Sequence, residues 1–272
     1  MAKILAARGY KLRGFDLRPE PGNALTAAGG AVAASAAEAA KNADVLILMV
    51  VSAAQADAVL FGEGALSALA PGGTVILMAT CAPRAVQEMA SRVTTTGRRF
   101  VDAPVSGGSK GAETATLTIM AAAPAETMES VRPILEALGD KLFHVGEIPG
   151  QGATVKTVNQ LLCGVHIAAA AEAFSLAAKV GVDLGILLKI LGGSAASSWM
   201  LRDRGPRMLE RQPSVTSSVD IFVKDLGLVL EAGRDSKAAL PLAAAAHQLF
   251  VSTSGRGEGA ADDSQVVRAY HL

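Results

Sequence analysis

The segment from Gly150 to Lys179, GQGATVKTVNQLLCGVHIAAAAEAFSLAAK, constrains the fold of this chain more than any other. It opens with the flexible turn Gly-Gln-Gly and continues without proline, in an alanine-rich composition that favours helix. Its length is far above that of an average globular helix. The sequence therefore predicts one long helix, which ends near Gly181.

Three polar side chains share one face near the start of this helix. Lys156, Asn159 and Gln160 stand at i, i+3 and i+4, so they project from the helix together. The residues around them are apolar: Val155, Val158, Leu161 and Leu162. Two interpretations are open at this point. One is a polar site set into an apolar wall, and the other is a solvated stripe, the commoner situation for lysine and asparagine.

Strand and helix patterns alternate through residues 1–149. Strands are predicted at 11–16, 44–51, 74–78, 99–101, 117–121 and 142–145. Helices are predicted at 1–10, 35–41, 55–60, after Gly64, at 84–94 and at 126–138. This alternation predicts an α/β domain with a Rossmann-type doubly wound sheet, in which the apolar run 44–51 is a buried parallel strand.

No strand pattern follows residue 150. Further helices are predicted at 184–191, capped by Asp183, and at 199–209, 221–233 and 241–252, before a last short helix capped by Asp262 or Asp263. The chain is thus predicted to contain a Rossmann-like domain at 1–149 and an all-helical domain at 150–272. The long helix joins them, and the boundary falls at the turn 149–152.

The composition disfavours several classes of partner. The formal net charge is +0 and Lys and Arg are dispersed, so nothing favours nucleic acid or an anionic membrane surface. The run 45–51 is too short to span a bilayer, and the N-terminal residues lack a signal-peptide pattern. Cys81 and Cys163 are too few for a disulfide framework. The histidines are scattered: His144, His166, His247 and His271. We expect a soluble, cytoplasmic protein without a metal site.

Ligands of a doubly wound sheet bind outside the carboxyl ends of its strands. Among the residues at these ends, Asp16, Val51 and Thr80 are candidates for contact with a nucleotide cofactor, and the segment 102–112 also follows a strand. A carboxylate such as Asp16 can accept hydrogen bonds from an adenosine ribose and would repel a 2′-phosphate, which favours NAD, although Arg18 keeps NADP open. Asp16 can equally be an ordinary turn residue.

Several other residues carry two interpretations each. Ser106, Gly107 and Gly108 offer a hydroxyl and accessible backbone N–H groups to an anion such as a carboxylate, or form only a turn. Thr80 can bind a cofactor or simply end a strand, and the neighbouring Cys81 is expected to pack. Lys224 lies among apolar residues and either reaches a cleft or extends to water.

Three blocks of sequence resemble the signature motifs of the β-hydroxyacid dehydrogenases, the 3-hydroxyisobutyrate dehydrogenase-like family. They are DAPVSGGSKGA at 102–112, GQGATVKTVNQ at 150–160 and KDLGL at 224–228. Their order and spacing also fit, and the resemblance extends over essentially the whole chain. The segments VNQLLCGVHIAAAAEAFSLAAK and VDIFVKDLGLVL resemble the L-threonate dehydrogenase branch, in which the second of the paired amides is a glutamine, as Gln160 is here.

The resemblance implies roles for the polar residues. Lys156 corresponds to the catalytic residue of the family. The carboxylate-binding loop corresponds to Ser106, Gly107 and Gly108, and the substrate-orienting amides correspond to Asn159 and Gln160. The cofactor contacts correspond to Thr80 and Lys224. The reaction needs a group that takes the hydroxyl proton, and a partly desolvated lysine can have its pKa lowered enough to do so. A nicotinamide cofactor supplies the hydride chemistry.

The family normally begins with a strand and a G-x-G-x-x-G turn, neither of which occurs in this sequence. In the strand order 3-2-1-4-5-6, the first strand lies at the centre of the sheet. We expect a gap there, with apolar edges exposed on both neighbouring strands and no glycine turn for the pyrophosphate. The simplest interpretation is an N-terminally truncated sequence, in which case upstream codons should encode the strand and the turn.

The function that this resemblance implies is NAD-dependent oxidation of a short hydroxy acid, with L-threonate as the first candidate. The alternatives are 3-hydroxyisobutyrate and tartronate semialdehyde, while the lysine argues against an imine reductase. A catalytically silent relative, retained for binding or oligomerisation, is the alternative of another class, and the retained Lys156 argues against it. We expect a small-molecule substrate and association into a homodimer or homotetramer.

Overall fold

The computed structural model describes residues 1–270. The chain divides into two compact units, Met1–Lys156 and the residues from Thr157 onward. The division falls inside the long helix, whereas the sequence places the domain boundary in the turn before it. His271 lies outside the described residues, and among the described ones no group of histidine, cysteine, aspartate or glutamate could hold a metal ion.

The first unit alternates short strands and helices. The strands are β1 (Arg13–Gly14), β2 (Ala31–Val32), β3 (Val45–Leu48), β4 (Thr74–Leu77), β5 (Arg99–Asp102), β6 (Val105–Ser106), β7 (Thr118–Ala122) and β8 (Lys141–Gly146). The helices are α1 (Ala2–Ala7), α2 (Pro19–Ala27), α3 (Ala36–Ala40), α4 (Ala53–Asp57), α5 (Ala65–Ala68), α6 (Pro83–Thr94), α7 (Gly108–Thr114) and α8 (Ala125–Leu138). The α/β fold class predicted from the alternation is confirmed.

The larger sheet has the order β3-β4-β5-β7-β6, and β8 pairs with β7. Strands β3, β4 and β5 are parallel, so their carboxyl ends meet at one edge. Strand β7 runs antiparallel to β5 and β6 and parallel to β8. The sheet is therefore a parallel, Rossmann-like half with an antiparallel extension, and not a wholly parallel sheet.

Strands β1 and β2 form a separate two-stranded parallel sheet. The break falls between β1 and β3, where the missing central strand was expected. No strand of residues 1–270 pairs with the other edge of β1 or of β3. Because of this, Leu46 and Ile47 in β3 are half-buried, although the apolar run predicted a fully buried strand. Val32 in β2 is 54% exposed.

Two parts of the sequence pattern were misread. Helix α2 and strand β2 were not predicted, because the Pro-Glu-Pro-Gly start of the helix and the two glycines before the strand are typical of turns. The segment 102–112 was expected to be a loop, but it contains β6 and α7. Gly107 precedes α7 with a φ of 125°, a conformation that favours glycine, so the glycine pair marks a helix start.

The second unit is all-helical. It contains most of α9 (Gln151–Lys179), followed by α10 (Leu184–Gly193), α11 (Trp199–Met208), α12 (Val219–Ser236), α13 (Pro241–Thr253) and a 3-10 helix, Asp263–Tyr270. The predicted cap of α10 is confirmed, since the Asp183 carboxylate accepts a hydrogen bond of 2.7 Å from the Ile186 N–H. The core is aliphatic apart from a few aromatic side chains. Phe222 stacks on Phe250, with the ring centroids 5.1 Å apart.

A buried ionic cluster ties α11 to the 3-10 helix. The Arg204 guanidinium donates two hydrogen bonds of 2.8 Å to the two carboxylate oxygens of Asp263. It also contacts Asp203. Arg207 donates from Nε to Asp262 at 3.1 Å. Asp262 does accept from the Ser264 N–H near the start of the 3-10 helix, in line with its predicted capping role, but the ion pairs were not predicted.

By length and composition, α9 is apolar enough to cross a membrane, as is the core helix of many soluble proteins. It packs in the helical core of the second unit, where Ile167, Ala171 and Phe174 are fully buried. It also carries buried polar side chains, including Lys156 and Gln160. These contacts make α9 a core helix of the second unit.

Candidate functional site

A buried carboxylate fixes the start of α9. Asp102 is the last residue of β5 and is 1% exposed. Its Oδ2 accepts hydrogen bonds from the N–H groups of Gly150 at 2.8 Å and Ala153 at 2.9 Å. A carboxylate at this position satisfies two N–H groups that lack partners at a helix start and also interacts favourably with the helix dipole. Asp102 therefore ties α9 to the carboxyl end of β5.

Each residue of the Gly-Gln-Gly turn has a structural reason. Gly150 has a φ of +98°, which favours glycine. At Gly152 a Cβ would lie 2.4 Å from the Met120 carbonyl oxygen, so no other residue fits without a shift of the backbone. The Gln151 side chain accepts a hydrogen bond of 3.0 Å from the Ile148 N–H. The Gly-Gln-Gly part of the block 150–160 thus fixes the position of the start of α9. This structural role could not be predicted from the sequence.

Replacing Asp102 with Asn should remove a pH dependence of stability. Burial raises the pKa of Asp102 to about 6, against the hydrogen bonds from Ala153, Gly150 and Gly152. The folded state therefore binds this proton more tightly than the unfolded state. The contribution of Asp102 to stability is thus fully present below pH ~4 and is lost as pH rises to about 6, by up to about 3 kcal/mol. We expect the free energy of unfolding of wild type, relative to Asp102→Asn, to decline over that range in urea titrations. Parallel pH curves for the two proteins would contradict this.

Two of the three polar side chains on this face of α9 are buried and Asn159 is half-buried, while apolar residues beside them are exposed. Lys156 is 6% exposed and Gln160 is 7% exposed. Val155, Val158 and Leu162 are 40%, 59% and 50% exposed. A solvated stripe would show the opposite distribution, so that interpretation is wrong. The apolar wall predicted around the polar residues consists, at these three positions, of exposed side chains. Because burying an ammonium group costs free energy, this arrangement points to a function for the lysine.

The two amides of α9 belong to a chain of polar contacts in the second unit. Asn159 Nδ2 donates to Gln160 Oε1 at 2.9 Å, and Gln160 Nε2 donates to Asp225 Oδ2 at 2.5 Å. Lys224 Nζ lies 2.7 Å from Asp225 Oδ1. Asp225 is 2% exposed, and the family resemblance does not assign a role to it. Lys224 is held by this carboxylate and does not simply extend to water.

The anion-binding candidates lie just beyond β5. Ser106 ends β6 and is half-buried, and Gly107 and Gly108 follow with φ values of 125° and 63°. Positive φ at successive glycines leaves backbone N–H groups uncovered by side chains, as an anion site requires. Ser106 is reached from Asp102, the anchor of α9, in four residues. The first unit therefore holds Lys156 and this glycine segment on elements that start from the same strand end.

The cofactor candidates follow the carboxyl ends of parallel strands. Val51 comes after β3 and is 50% exposed, and Thr80 comes after β4 and is half-buried. Asp16 comes after β1, and its Oδ1 accepts hydrogen bonds from Arg18 N at 2.9 Å and Nε at 3.3 Å. The Arg18 side chain and backbone lower the pKa of Asp16. This arrangement fits a nucleotide, because the residues lie where open α/β sheets bind such ligands. Cys81 is buried, as predicted.

Comparisons with known proteins agree with this architecture. A family model described as the NAD binding domain of 6-phosphogluconate dehydrogenase matches residues 1–146. Another, described as NAD-binding of NADP-dependent 3-hydroxyisobutyrate dehydrogenase, matches residues 150–270.

Similar proteins include two curated L-threonate dehydrogenases. The protein of Cupriavidus necator is 43% identical, over 99% of this chain and 91% of its own length. The protein of Haemophilus influenzae is 40% identical, over 96% of this chain and 88% of its own length. Among solved structures, a 3-hydroxyisobutyrate dehydrogenase from Salmonella typhimurium has a TM-score of 0.93 and 38% identity, covering 98% of this chain and 94% of that one. The chain therefore belongs to the 3-hydroxyisobutyrate dehydrogenase-like family of β-hydroxyacid dehydrogenases and is a nicotinamide-dependent oxidoreductase.

Proposed function

We propose that this protein oxidises L-threonate, with Lys156 as the general acid/base. The observation that carries the proposal is the burial of Lys156 on a helix whose neighbouring valines are exposed. The L-threonate dehydrogenases at 43% and 40% identity support the substrate. Gln160 supports it as well, because it resembles the second of the paired amides of that branch. The name of the similar Salmonella protein makes 3-hydroxyisobutyrate the second candidate.

In the proposed mechanism, Lys156 takes the proton of the substrate hydroxyl as the carbonyl develops. A side chain that is positioned to exchange this proton acts as a general acid/base. Ser106 and the N–H groups of Gly107 and Gly108 bind the substrate carboxylate. Asn159 and Gln160, one turn further along α9, orient the hydroxyl groups. When bound, the nicotinamide cofactor accepts the hydride lost by the substrate carbon.

We infer a preference for NAD over NADP. The ionised Asp16 carboxylate, at the end of β1, suits the two ribose hydroxyls of NAD and would repel a 2′-phosphate. Arg18 moderates that repulsion, because its side chain stays within 3.3 Å of the carboxylate. Val51, Thr80 and Lys224 are the further residues proposed to hold the cofactor.

The experiment that tests this proposal is a cofactor titration followed by a substrate panel. NADH and NADPH are titrated against the protein by fluorescence, and we expect NADH to bind more tightly. Oxidation of L-threonate and 3-hydroxyisobutyrate, and reduction of tartronate semialdehyde, are then compared by kcat/KM. The largest kcat/KM should belong to L-threonate. A larger value for 3-hydroxyisobutyrate would overturn the substrate, and absence of turnover with bound NADH would favour a silent relative.

We propose association into a homodimer or homotetramer through the helical unit. Helix α10 is apolar along most of its length, yet none of its residues is buried. Its Ile186 and Ile190 are large, apolar and exposed. The end of α9 and the turn that follows it expose three more such side chains: Leu176, Val180 and Val182. Monomeric soluble proteins rarely expose such a patch, so a second copy is expected to cover it.

Replacing Ile186 and Ile190 together with Glu should dissociate this assembly. The two residues are 58% and 59% exposed, so the change costs little within one chain, but it places two charges in the proposed interface. We expect the dissociation constant to rise at least about 100-fold. Light scattering after size-exclusion chromatography measures the mass, with Ile186→Leu as the matched control. An unchanged mass for the Glu variant would show that another surface forms the assembly.

We also propose a cytoplasmic location. Cys81 and Cys163 form no disulfide in the described part of the chain, which suits a reducing compartment. The proposed reaction also consumes a soluble nicotinamide cofactor. Fractionation of cells that express the protein tests this, and recovery in an extracytoplasmic fraction would contradict it.

A further inference from the structure

The contacts of Asp225 carry an inference about how the substrate is recognised, which rests on the proposed function of Asn159 and Gln160. Asp225 lies on α12 and is 2% exposed. One of its oxygens, Oδ2, accepts from Gln160 Nε2 at 2.5 Å. The other, Oδ1, lies 2.7 Å from Lys224 Nζ, a charge contact without hydrogen-bond geometry. The buried Asp225 carboxylate is therefore paired with the Lys224 ammonium and accepts a hydrogen bond from the Gln160 amide.

A carboxylate partner fixes which end of the Gln160 amide faces it, whereas an amide partner would allow either end. An ionised aspartate only accepts hydrogen bonds, so the Gln160 amide must turn its NH₂ group toward Asp225. Its carbonyl oxygen then faces Asn159, whose Nδ2 donates to it at 2.9 Å. The same Nδ2 contacts Cys163 Sγ at 3.4 Å.

These contacts fix the orientation of both amide groups. Asn159 has both N–H groups directed at protein acceptors, Gln160 Oε1 and Cys163 Sγ, so its carbonyl oxygen Oδ1 is turned away from them. An oxygen held in this way can accept a hydrogen bond from a hydroxyl group. If Gln160 flipped, Asn159 would flip with it and would offer N–H groups instead.

We propose that Asp225 is a positioning residue that fixes the amide orientation of Gln160 and, through it, of Asn159, so that Asn159 Oδ1 accepts a hydrogen bond from a substrate hydroxyl other than the one oxidised. The substrate class that this selects is a polyhydroxy acid. L-Threonate has three hydroxyl groups and so retains two besides the reacting one. 3-Hydroxyisobutyrate has none to spare.

Asp225→Asn tests the proposal, because asparagine keeps the volume of the side chain but permits both orientations of Gln160. We expect kcat/KM for L-threonate to fall about 10- to 100-fold, the effect of one misdirected hydrogen bond in a binding site. The kcat/KM for 3-hydroxyisobutyrate should fall by less than about 3-fold, since the lost contact is not used. Asp235→Asn, an exposed carboxylate on the same helix, is the matched control and should change neither value.

An equal loss with both substrates, or no loss with either, would overturn the proposal. A second measurement keeps it testable without turnover: NMR of protein labelled with 15N-glutamine, with the Gln160 side-chain signal assigned from Gln160→Glu. We expect that amide to be shifted and protected from exchange in wild type, and to lose both properties in Asp225→Asn. Unchanged Gln160 signals in Asp225→Asn would contradict the claim that Asp225 fixes the orientation of the Gln160 amide. If wild type binds NADH but oxidises neither acid, the proposed function fails, and the NMR result still decides the role of Asp225.

Discussion

Lys156→Ala should lower turnover by about 1,000-fold while leaving the affinity for NADH nearly unchanged. General acid/base groups contribute roughly 100- to 10,000-fold, and this variant removes the proposed group for the hydroxyl proton. The residue is 6% exposed, so the lost group is not replaced by a neighbouring solvated side chain at the same position. Steady-state kinetics with L-threonate and a fluorescence titration with NADH measure the two quantities.

Lys179→Ala is the matched control, because Lys179 lies exposed in the last turn of the same helix. We expect it to retain wild-type turnover. Lys156→Met keeps most of the side-chain volume and separates loss of the amine from loss of packing. Turnover in Lys156→Ala comparable to that of wild type would remove the lysine from the mechanism.

Arg204→Met should destabilise the helical unit by about 3–5 kcal/mol. The Asp263 side chain is 0% exposed and depends on two hydrogen bonds of 2.8 Å from this guanidinium. Removing one member of a buried pair leaves an uncompensated charge, which costs far more than the pair contributes. The free energy of unfolding in urea, followed by circular dichroism, measures the loss.

Two further variants separate this explanation from a general packing defect. The double variant Arg204→Met/Asp263→Leu removes both charges and should recover a large part of the lost stability, since the two sites are coupled. Arg84→Ala breaks a surface pair with Glu88 whose side chains are 87% and 64% exposed, and should leave the unfolding midpoint in place. Additive losses in the double variant would contradict the assignment.

The long elements of this fold could be predicted from sequence, and the reasons are local. Helix α9 follows from alanine-rich composition, and the start of α10 follows from Asp183 as a cap. The split of the sheet between β1 and β3 follows from the absence of one family motif. The antiparallel pairing of β7 could not be predicted, because strand direction depends on long-range contacts that leave no local pattern.

The candidate site was predictable residue by residue but not as a set of contacts. Lys156, Asn159 and Gln160 share a helical face by spacing alone. Asp102 and Asp225 were not given roles, because a buried aspartate looks like any other acidic residue until its partners are known. Their partners lie 48 and 65 residues away along the chain, at Gly150 and Gln160.

The open edge of β3 affects how a polypeptide of residues 1–272 behaves at high concentration. Its four residues, Val-Leu-Ile-Leu, are apolar and extended, and in the described part of the chain they pair on one side only. Such an edge offers backbone donors and acceptors to a strand from any other polypeptide. Loss of dispersed protein during storage should therefore depend on chain concentration as well as on temperature, and a short edge-capping peptide should slow it.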